Sequence, residues 1–531
     1  MRKLELAYKE VGYFSDLILD YLEEKETLTP FYNYSVSIKE FATIIADKYN
    51  DSVNREILVS ALQQQNKSFT SAYNLVKENI EALSDEKTYT ITTGHQLCIC
   101  GGPLYFIYKI VSIINLCKSL KSQYPGNNFV PVFWLASEDH GDGEITKVNL
   151  FNKTFEWQHI QKGASGKRTT APYNQLNTEL RDLLGDDQNA LEILDLFEQS
   201  YSGADNLAQA TRSYLYRLFG EYGLIVIDGD DRTLKQEFAP LMQDELEKSS
   251  TLRNVTETVN RLGQNYKVQA NVRAINLFYL GDGFRERIVK EGEGFSVLNT
   301  KIKFSKEEIL IELKNAPEKF SPNVLMRPLY QEKILPNLAY IGGPGEVAYW
   351  VQLKSNFEYH HVNFPMVVLR DSVQWIDSGS VERLKKLKID VSAIFKPIEQ
   401  LERDYLATQS GSFSIEEYRN KLTDIFTDLS VVISQIDQSL SASIEGERKK
   451  QQKGLDNIEG KVNKAIKRKH EVELNQLRKL KDKLFPNEGL QERRENIIPY
   501  YAKYGKEFIL VLLENLDVLN KKLTVLLEES N

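Results

Sequence analysis

Apolar residues follow two rhythms along this chain. In Thr88-Tyr-Thr-Ile-Thr-Thr93 β-branched residues alternate with a period of two, which predicts a strand, and the segment runs into Gly94-His95-Gln96 and then Gly101-Gly102-Pro103. From Leu104 to Leu120 the period lengthens: Leu104, Ile107, Val111 and Ile114 recur at helical spacing. Val130-Pro-Val-Phe-Trp-Leu-Ala136 is then almost wholly apolar, the pattern of a parallel strand buried on both faces, and it ends in the polar string Ser137 to Asp142. Strand, glycine turn, helix and strand make one βαβ unit. Two further apolar runs, Leu224 to Asp228 and Pro365 to Leu369, end in Gly229-Asp230-Asp231 and Arg370-Asp371-Ser372. In a sheet of this kind ligands bind beyond the carboxyl ends of the strands, where these polar tips fall.

The pattern predicts an α/β doubly wound, parallel-sheet core over residues 86–395, with insertions near 150–210 and 260–320. Residues 1–85 read as a mainly helical segment. From 396 to 531 glycine and proline thin out, and the rhythm becomes that of a coiled coil: Leu429, Ile433, Ile436 and Leu440, then Leu455, Ile458, Val462 and Ala465. Glu445 to Gly454 lacks apolar seam residues and reads as the tip of a helical hairpin or a solvated break. The same seam suits a hairpin within one chain or a pairing of two chains.

One segment fits neither rhythm. Leu338 to Ile341 is apolar, Gly342-Gly-Pro-Gly345 follows, and Glu346 leads into Val-Ala-Tyr-Trp350. Glycine permits close backbone approach and proline fixes the turn, so this is a candidate binding loop between two buried elements. It matches neither G-x-G-x-x-G nor the phosphate-loop pattern.

The formal net charge of −8 argues against nucleic acid as partner of the whole chain. The basic residues from Arg448 to Lys483 read as the solvated face of the coiled coil. The three cysteines, Cys98, Cys100 and Cys117, are too few and too oddly placed for a disulfide framework and fit a reducing compartment. No apolar leader opens the chain, and its longest apolar stretch is too short to span a bilayer. The expectation is a cytoplasmic protein without a membrane partner.

Glu138-Asp139-His140 sets two carboxylates beside an imidazole at a strand tip, residue types suited to general acid/base work or to holding an ammonium. If the tip is extended, Glu138 and His140 share a face and Asp139 points away. His95 lies in the first strand–helix turn, where N–H groups favour anions, and Lys109 follows on the helix. Arg327 and Gln331, at helical spacing around Tyr330, suit a carboxylate or phosphate. A zinc-type reading would need His95, His140 and the His360-His361 pair to converge with Glu138 or Asp139, but no H-E-x-x-H spacing supports it, and no metal is predicted in the protein itself.

Thr93-Gly-His-Gln96, Gly102-Pro-Leu-Tyr105, Phe133 to His140, Ser321 to Gln331 and Leu338 to Trp350 closely resemble the BshC family, the cysteine ligases of bacillithiol biosynthesis. Weaker likeness continues through Val272 to Tyr279, Leu490-Gln-Glu-Arg493 and Tyr501 to Gly505, so it spans nearly the whole chain. The resemblance implies a nucleotidyltransferase-like Rossmann core and a coiled coil that pairs two subunits into a homodimer. It implies a carbon–nitrogen ligase that joins cysteine to glucosaminyl malate, with ATP as activator and Mg²⁺ as the companion cation. On that footing Gly94, His95, Gln96, Gly101, Gly102 and Lys109 are expected at the nucleotide. Asp139, His140 and Glu138 are expected at the reacting atoms, and Arg327, Tyr330, Gln331, Gly342, Gly343, Gly345 and Glu346 at the substrates. A non-enzymatic dimer that binds a nucleotide or thiol metabolite, and a metal-dependent hydrolase, are the alternatives.

Overall fold

The computed structural model describes residues 1–529 except 142, 144, 152, 158–160 and 411–414. The chain forms two compact units. One comprises Met1–Lys9, Tyr13–Trp375 and Gly489–Leu526, and the other Glu10–Gly12, Ile376–Glu488 and Leu527–Asn531.

The first unit is built on a five-stranded sheet in the spatial order Met366–Leu369, Asn337–Gly342, Thr88–His95, Asn128–Leu135 and Ile225–Asp228. All four pairings are parallel. The strands are buried on both faces, with helices packed against the sheet. The Leu104–Gln123 helix buries Ile107, Ile110, Val111 and Ile114 among others. From Thr88–His95 the chain builds outward through Asn128–Leu135 to Ile225–Asp228, then crosses back to start the other half with Asn337–Gly342. The order therefore reverses between Thr88–His95 and Asn337–Gly342, and such a reversal leaves a crevice at the strands' carboxyl ends. The Gly342-Gly-Pro-Gly-Glu346 turn lies there.

The insertion expected near 260–320 contains a second five-stranded sheet. Its order is Lys303–Phe304, Gly294–Val297, Phe284–Glu291, Leu277–Gly281 and Phe320–Pro322, all antiparallel. The N-terminal segment is mainly helical but opens with a strand, Arg2–Ala7, in a third sheet ordered Arg2–Ala7, Lys522–Leu527 and Val373–Ile376. Residues 489–526 group with the Rossmann-like unit.

The second unit is helical. Leu384, Leu401, Leu474, Leu477 and Leu480 form its buried cluster. From this projects a hairpin of Glu416–Ile436 and Ser441–Lys469, where Arg419 reaches Asp456 at 2.6 Å and Glu459 at 2.7 Å. Its tip is Gln438–Leu440, capped by Asp437. The apolar-poor stretch Glu445 to Gly454 is not the tip but lies inside the long helix, because its residues, though unfit for a seam, are mostly good helix formers. Ile433, Leu455 and Val462 are half-buried, while Leu429, Ile436, Ile458 and Ala465 stay exposed, so the expected seam divides between two faces. No helix among the described residues is long and apolar enough to cross a membrane.

Candidate active site

A cleft of about 950 Å³ opens at the switch point. Its floor depends on close backbone approach. A side chain at Gly94 would put Cβ 2.9 Å from Trp134 Cβ, so only glycine lets the first two strands end this close together. The Gly94 carbonyl accepts a hydrogen bond from the buried Lys109 ammonium at 2.5 Å, and the same ammonium lies 2.7 Å from Glu346 Oε2. Glu346 is the third residue of the Pro344–Trp350 helix and reaches back to accept from the Gly343 N–H at 2.7 Å, as a capping glutamate does. Its other oxygen accepts from the Tyr340 hydroxyl at 2.5 Å. Burial pushes this carboxyl up, but Lys109, Tyr340 and the Gly343 N–H more than offset it and hold it below the usual range. Glu346 lines the cleft, its side chain 25% exposed, while both of its oxygens also serve the fold. One expectation is corrected here. Lys109 does not line the cleft, so it does not reach a phosphate there.

The first strand–helix turn is also committed to its own fold. The N–H groups of Cys98, Ile99, Cys100, Gly102 and Leu104 donate to Gln96 O, Ile145 O, the Tyr201 hydroxyl, Ile99 O and Glu495 O. Gly102 has φ +60°, and a Cβ there would lie 2.6 Å from Cys98 Cβ, so this glycine serves the turn itself. Neither Gly101 nor Gly102 lines the cleft, and the expected phosphate cradle is not presented. His95 does line it. Its Nδ1 donates to Gln96 O at 3.1 Å, and its Nε2 accepts from the Tyr105 hydroxyl at 3.3 Å. Burial pushes His95 down to about 4, so at neutral pH it carries no charge for an anion. Cys98, Cys100 and Cys117 are buried, and burial pushes the Cys100 thiol up to about 12, which leaves it inert.

On one wall stand Glu138, Asp139 and His140. The preceding strand stops at Leu135, and the Asp139 N–H closes a turn onto Ala136 O, so strand alternation does not govern these side chains. Glu138 lies 2.6 Å from the fully buried Lys235 ammonium, which also holds Asp230 at 2.8 Å. That bridge keeps Lys235 charged and commits Glu138 to a structural pair. Asp139 accepts from the Gln96 side-chain amide and from the His140 N–H at 2.8 Å, with Arg285 at 3.7 Å. Burial pushes its carboxyl up, but Gln96, Arg285 and His140 win and hold it below the usual range, so Asp139 is ionised. Its neighbour Asp142, part of the same polar string, lies outside the described residues.

Arg285 links this wall to the inserted sheet. Its guanidinium meets His140 Nδ1 at 3.0 Å, Ser321 Oγ at 3.1 Å and Pro322 O at 3.2 Å, and stacks 4.0 Å from the Phe278 ring centroid. Further arginines line the cleft: Arg273, Arg287, Arg327, Arg370 and Arg493. Arg327 donates to Gln331 Oε1 at 3.0 Å and lies over the faces of Tyr340 and Trp134 at 5.4 and 5.8 Å. Arg370 pairs with Glu492 at 2.8 Å. Gly343 and Gly345 line the cleft; Gly342, Tyr330 and Gln331 do not. Tyr330 instead donates to Gly229 O at 2.9 Å and packs on Trp134, and Gln331 is buried where it bonds Arg327 and Glu332. Sequence reasoning named none of Arg273, Arg285, Arg287, Arg370 and Arg493 as a site residue. Arg370 carried a signal in its place at a polar strand tip, and Arg273 and Arg493 fall in the segments of weaker family likeness.

His360 and His361 lie elsewhere, with Asp244 beside His360, so the four histidines do not converge. Among the described residues no group of three or more His, Cys, Asp or Glu could hold a metal ion.

The family model described as the N-terminal Rossmann-like domain of the bacillithiol biosynthesis protein BshC matches residues 1–371, and the C-terminal coiled-coil domain of the same family matches residues 373–528. A Flavobacterium psychrophilum protein named "Putative cysteine ligase BshC" is 43% identical over 509 residues, covering 95% of each chain. A Flavobacterium johnsoniae protein of the same name is 42% identical over 525 residues, covering 98% of this chain and 99% of its own. A more distant one from Bacillus cytotoxicus is 28% identical over 521 residues, covering 95% and 96%.

Proposed function

Since this chain belongs to the BshC family of bacillithiol biosynthesis, we propose that it is an amide-forming ligase that joins cysteine to the amine of glucosaminyl malate at the expense of ATP. The observation that carries this reading is the convergence, in one cleft at the switch point, of an ionised aspartate, an imidazole and several guanidiniums. Amide formation from a carboxylate and an amine needs three things: an activated carboxyl, a group for the amine's protons and positive charge for the acids. ATP, as a substrate, supplies the activating leaving group. Arg273, Arg287 and Arg493, which all line the cleft, have the charge to hold a phosphate chain, a role the turn at Gly94 to Gly102 does not offer. Arg327, held over two aromatic faces, suits the malate carboxylates. Asp139 is the group suited to the amine. As the C–N bond forms and the leaving group departs with the C–O electron pair, the proton released from nitrogen goes toward Asp139.

The test is cysteine-dependent exchange of labelled pyrophosphate into ATP by the purified protein. Exchange supports an adenylate route. Release of ADP without exchange replaces it with an acyl phosphate. If neither occurs with cysteine and glucosaminyl malate both present, the ligase reading fails.

We also propose that two copies pair through the hairpin. Ile425, Leu429, Val432 and Ile436 form an apolar stripe along Glu416–Ile436 and are 43–78% exposed, and neither hairpin helix has a buried residue. Sedimentation equilibrium of the wild type and of Leu429→Glu/Ile436→Glu tests this: a dimer that dissociates supports it, and a monomeric wild type refutes it.

A further inference from the structure

The contact between Arg285 and His140 has a chemical consequence that neither residue type shows alone. An arginine guanidinium has only N–H donors and stays protonated in proteins. At 3.0 Å from Arg285 Nη1, His140 Nδ1 must therefore be the acceptor. An imidazole that accepts at Nδ1 is neutral and carries its proton on Nε2. The guanidinium cannot easily turn away, because Ser321 Oγ and Pro322 O hold its other nitrogens and Phe278 covers its face. Its side chain is only 8% exposed. Asp139 does not compete for this nitrogen, since its nearer oxygen stands 3.8 Å from Nδ1 and accepts the His140 backbone N–H instead.

We infer that Arg285 is a positioning residue: by donating to Nδ1 it fixes the His140 tautomer, so that His140 offers Nε2–H as a hydrogen-bond donor in the cleft. His140 then does not remove a proton. In the ligase reading, on which this catalytic role rests, Nε2–H stabilises the carbonyl oxygen that gains negative charge as nitrogen attacks, and the proton stays on Nε2 throughout. The charged groups facing His140 are Asp139 on its own turn, Arg285 and Glu286 on the inserted hairpin, and Arg168. Burial first, then Arg285, pushes the imidazole's proton affinity below the ordinary histidine value, the direction the contact demands. The inserted antiparallel sheet thereby sets the chemical state of a residue in the turn that follows a strand of the parallel sheet.

The tautomer can be read without substrate, so its test is separate from that of the ligase activity. The full chain is labelled with ¹⁵N-histidine, and the His140 signal is assigned by its loss in His140→Gln. Long-range ¹H–¹⁵N correlations are expected to show an unprotonated Nδ1 and a protonated Nε2. Arg285→Met should weaken this tautomer preference to that of a free imidazole and move the titration up toward about 6.5. Arg285→Lys, which keeps a charge but cannot span Ser321, Pro322 and His140 together, should do so in part. A wild-type signal with Nδ1 protonated, or an unchanged tautomer preference in Arg285→Met, overturns the inference, and the wild-type measurement decides even if the variants fail to fold. In turnover assays a donor role predicts that His140→Gln, which keeps an N–H, is at least ten-fold more active than His140→Ala. Equal loss in both would show that the donor role is wrong.

Discussion

Replacing Lys109 by methionine tests the electrostatic floor of the cleft. Methionine keeps the length and apolar stem but removes the ammonium that holds Gly94 O and Glu346 Oε2. Removing one member of a buried pair typically costs about 3–5 kcal/mol, because the other charge is left without its partner. Glu346 keeps 25% of its side-chain exposure and retains the Gly343 N–H and Tyr340 hydroxyl, so water and those donors soften the penalty. The lower end, about 3 kcal/mol, is expected. In Lys109→Met/Glu346→Gln no charge is stranded, and glutamine still accepts the capping N–H. The double variant should therefore be more stable than Lys109→Met alone, with a coupling energy of about 1–3 kcal/mol. The assay is urea unfolding followed by tryptophan fluorescence. All four tryptophans, Trp134, Trp157, Trp350 and Trp375, lie in the Rossmann-like unit, so the signal reports that unit alone and avoids treating the whole chain as two-state. A Lys109→Met midpoint that matches wild type, or strictly additive single changes, would refute the reasoning.

Three further outcomes follow from the same geometry. Asp371 is buried against Ser112, and burial pushes its carboxyl up from 3.8 to about 7; a raised native value means stability is fullest below pH 3.8 and is lost as pH rises through 7. Asp371→Asn should remove this decline, up to about 4 kcal/mol, in unfolding curves between pH 4 and 8, and an unchanged slope would count against it. Gly94→Ala places a methyl 2.9 Å from Trp134 Cβ and should lower stability by about 1–3 kcal/mol in the same urea assay, whereas neutrality would show that the strands can spread. Asp139→Asn keeps an acceptor for Gln96 but loses the charge, so ligase turnover should fall about 10²–10⁴-fold with little change in melting temperature; a comparable fall in both would make Asp139 structural.

The parallel core was legible because its strands are short apolar runs or, at Thr88, a β-branched alternation, and four of them end in polar residues. The glycine turn at Gly342 stood out for its composition and lies at the switch point. What escaped the sequence was long-range pairing. Lys109 and Glu346 are 237 residues apart, and each alone suits a ligand as well as it suits the other. Arg285 reaches His140 across 145 residues from a hairpin whose polar strand shows little apolar rhythm. The turn after Thr93 looks like a phosphate site by its glycines, but its N–H groups are taken by Tyr201, Ile145 and Glu495, partners no local pattern announces. The hairpin tip at Gln438–Leu440 was hidden for a different reason: charged helix formers continue a helix just where a seam is absent.

The third sheet has a consequence for synthesis. Arg2–Ala7 neighbours Lys522–Leu527 in that sheet, an element made some 515 residues later. At roughly 5–20 residues per second, Arg2–Ala7 waits about half a minute to two minutes for its partner to be synthesised. During that time it is a sheet edge without a neighbour, and a nascent chain can bridge such an edge to another copy of itself. Its sequence, Arg2-Lys-Leu-Glu-Leu-Ala7, places charges between the leucines, which is the composition that keeps a waiting edge from sticking.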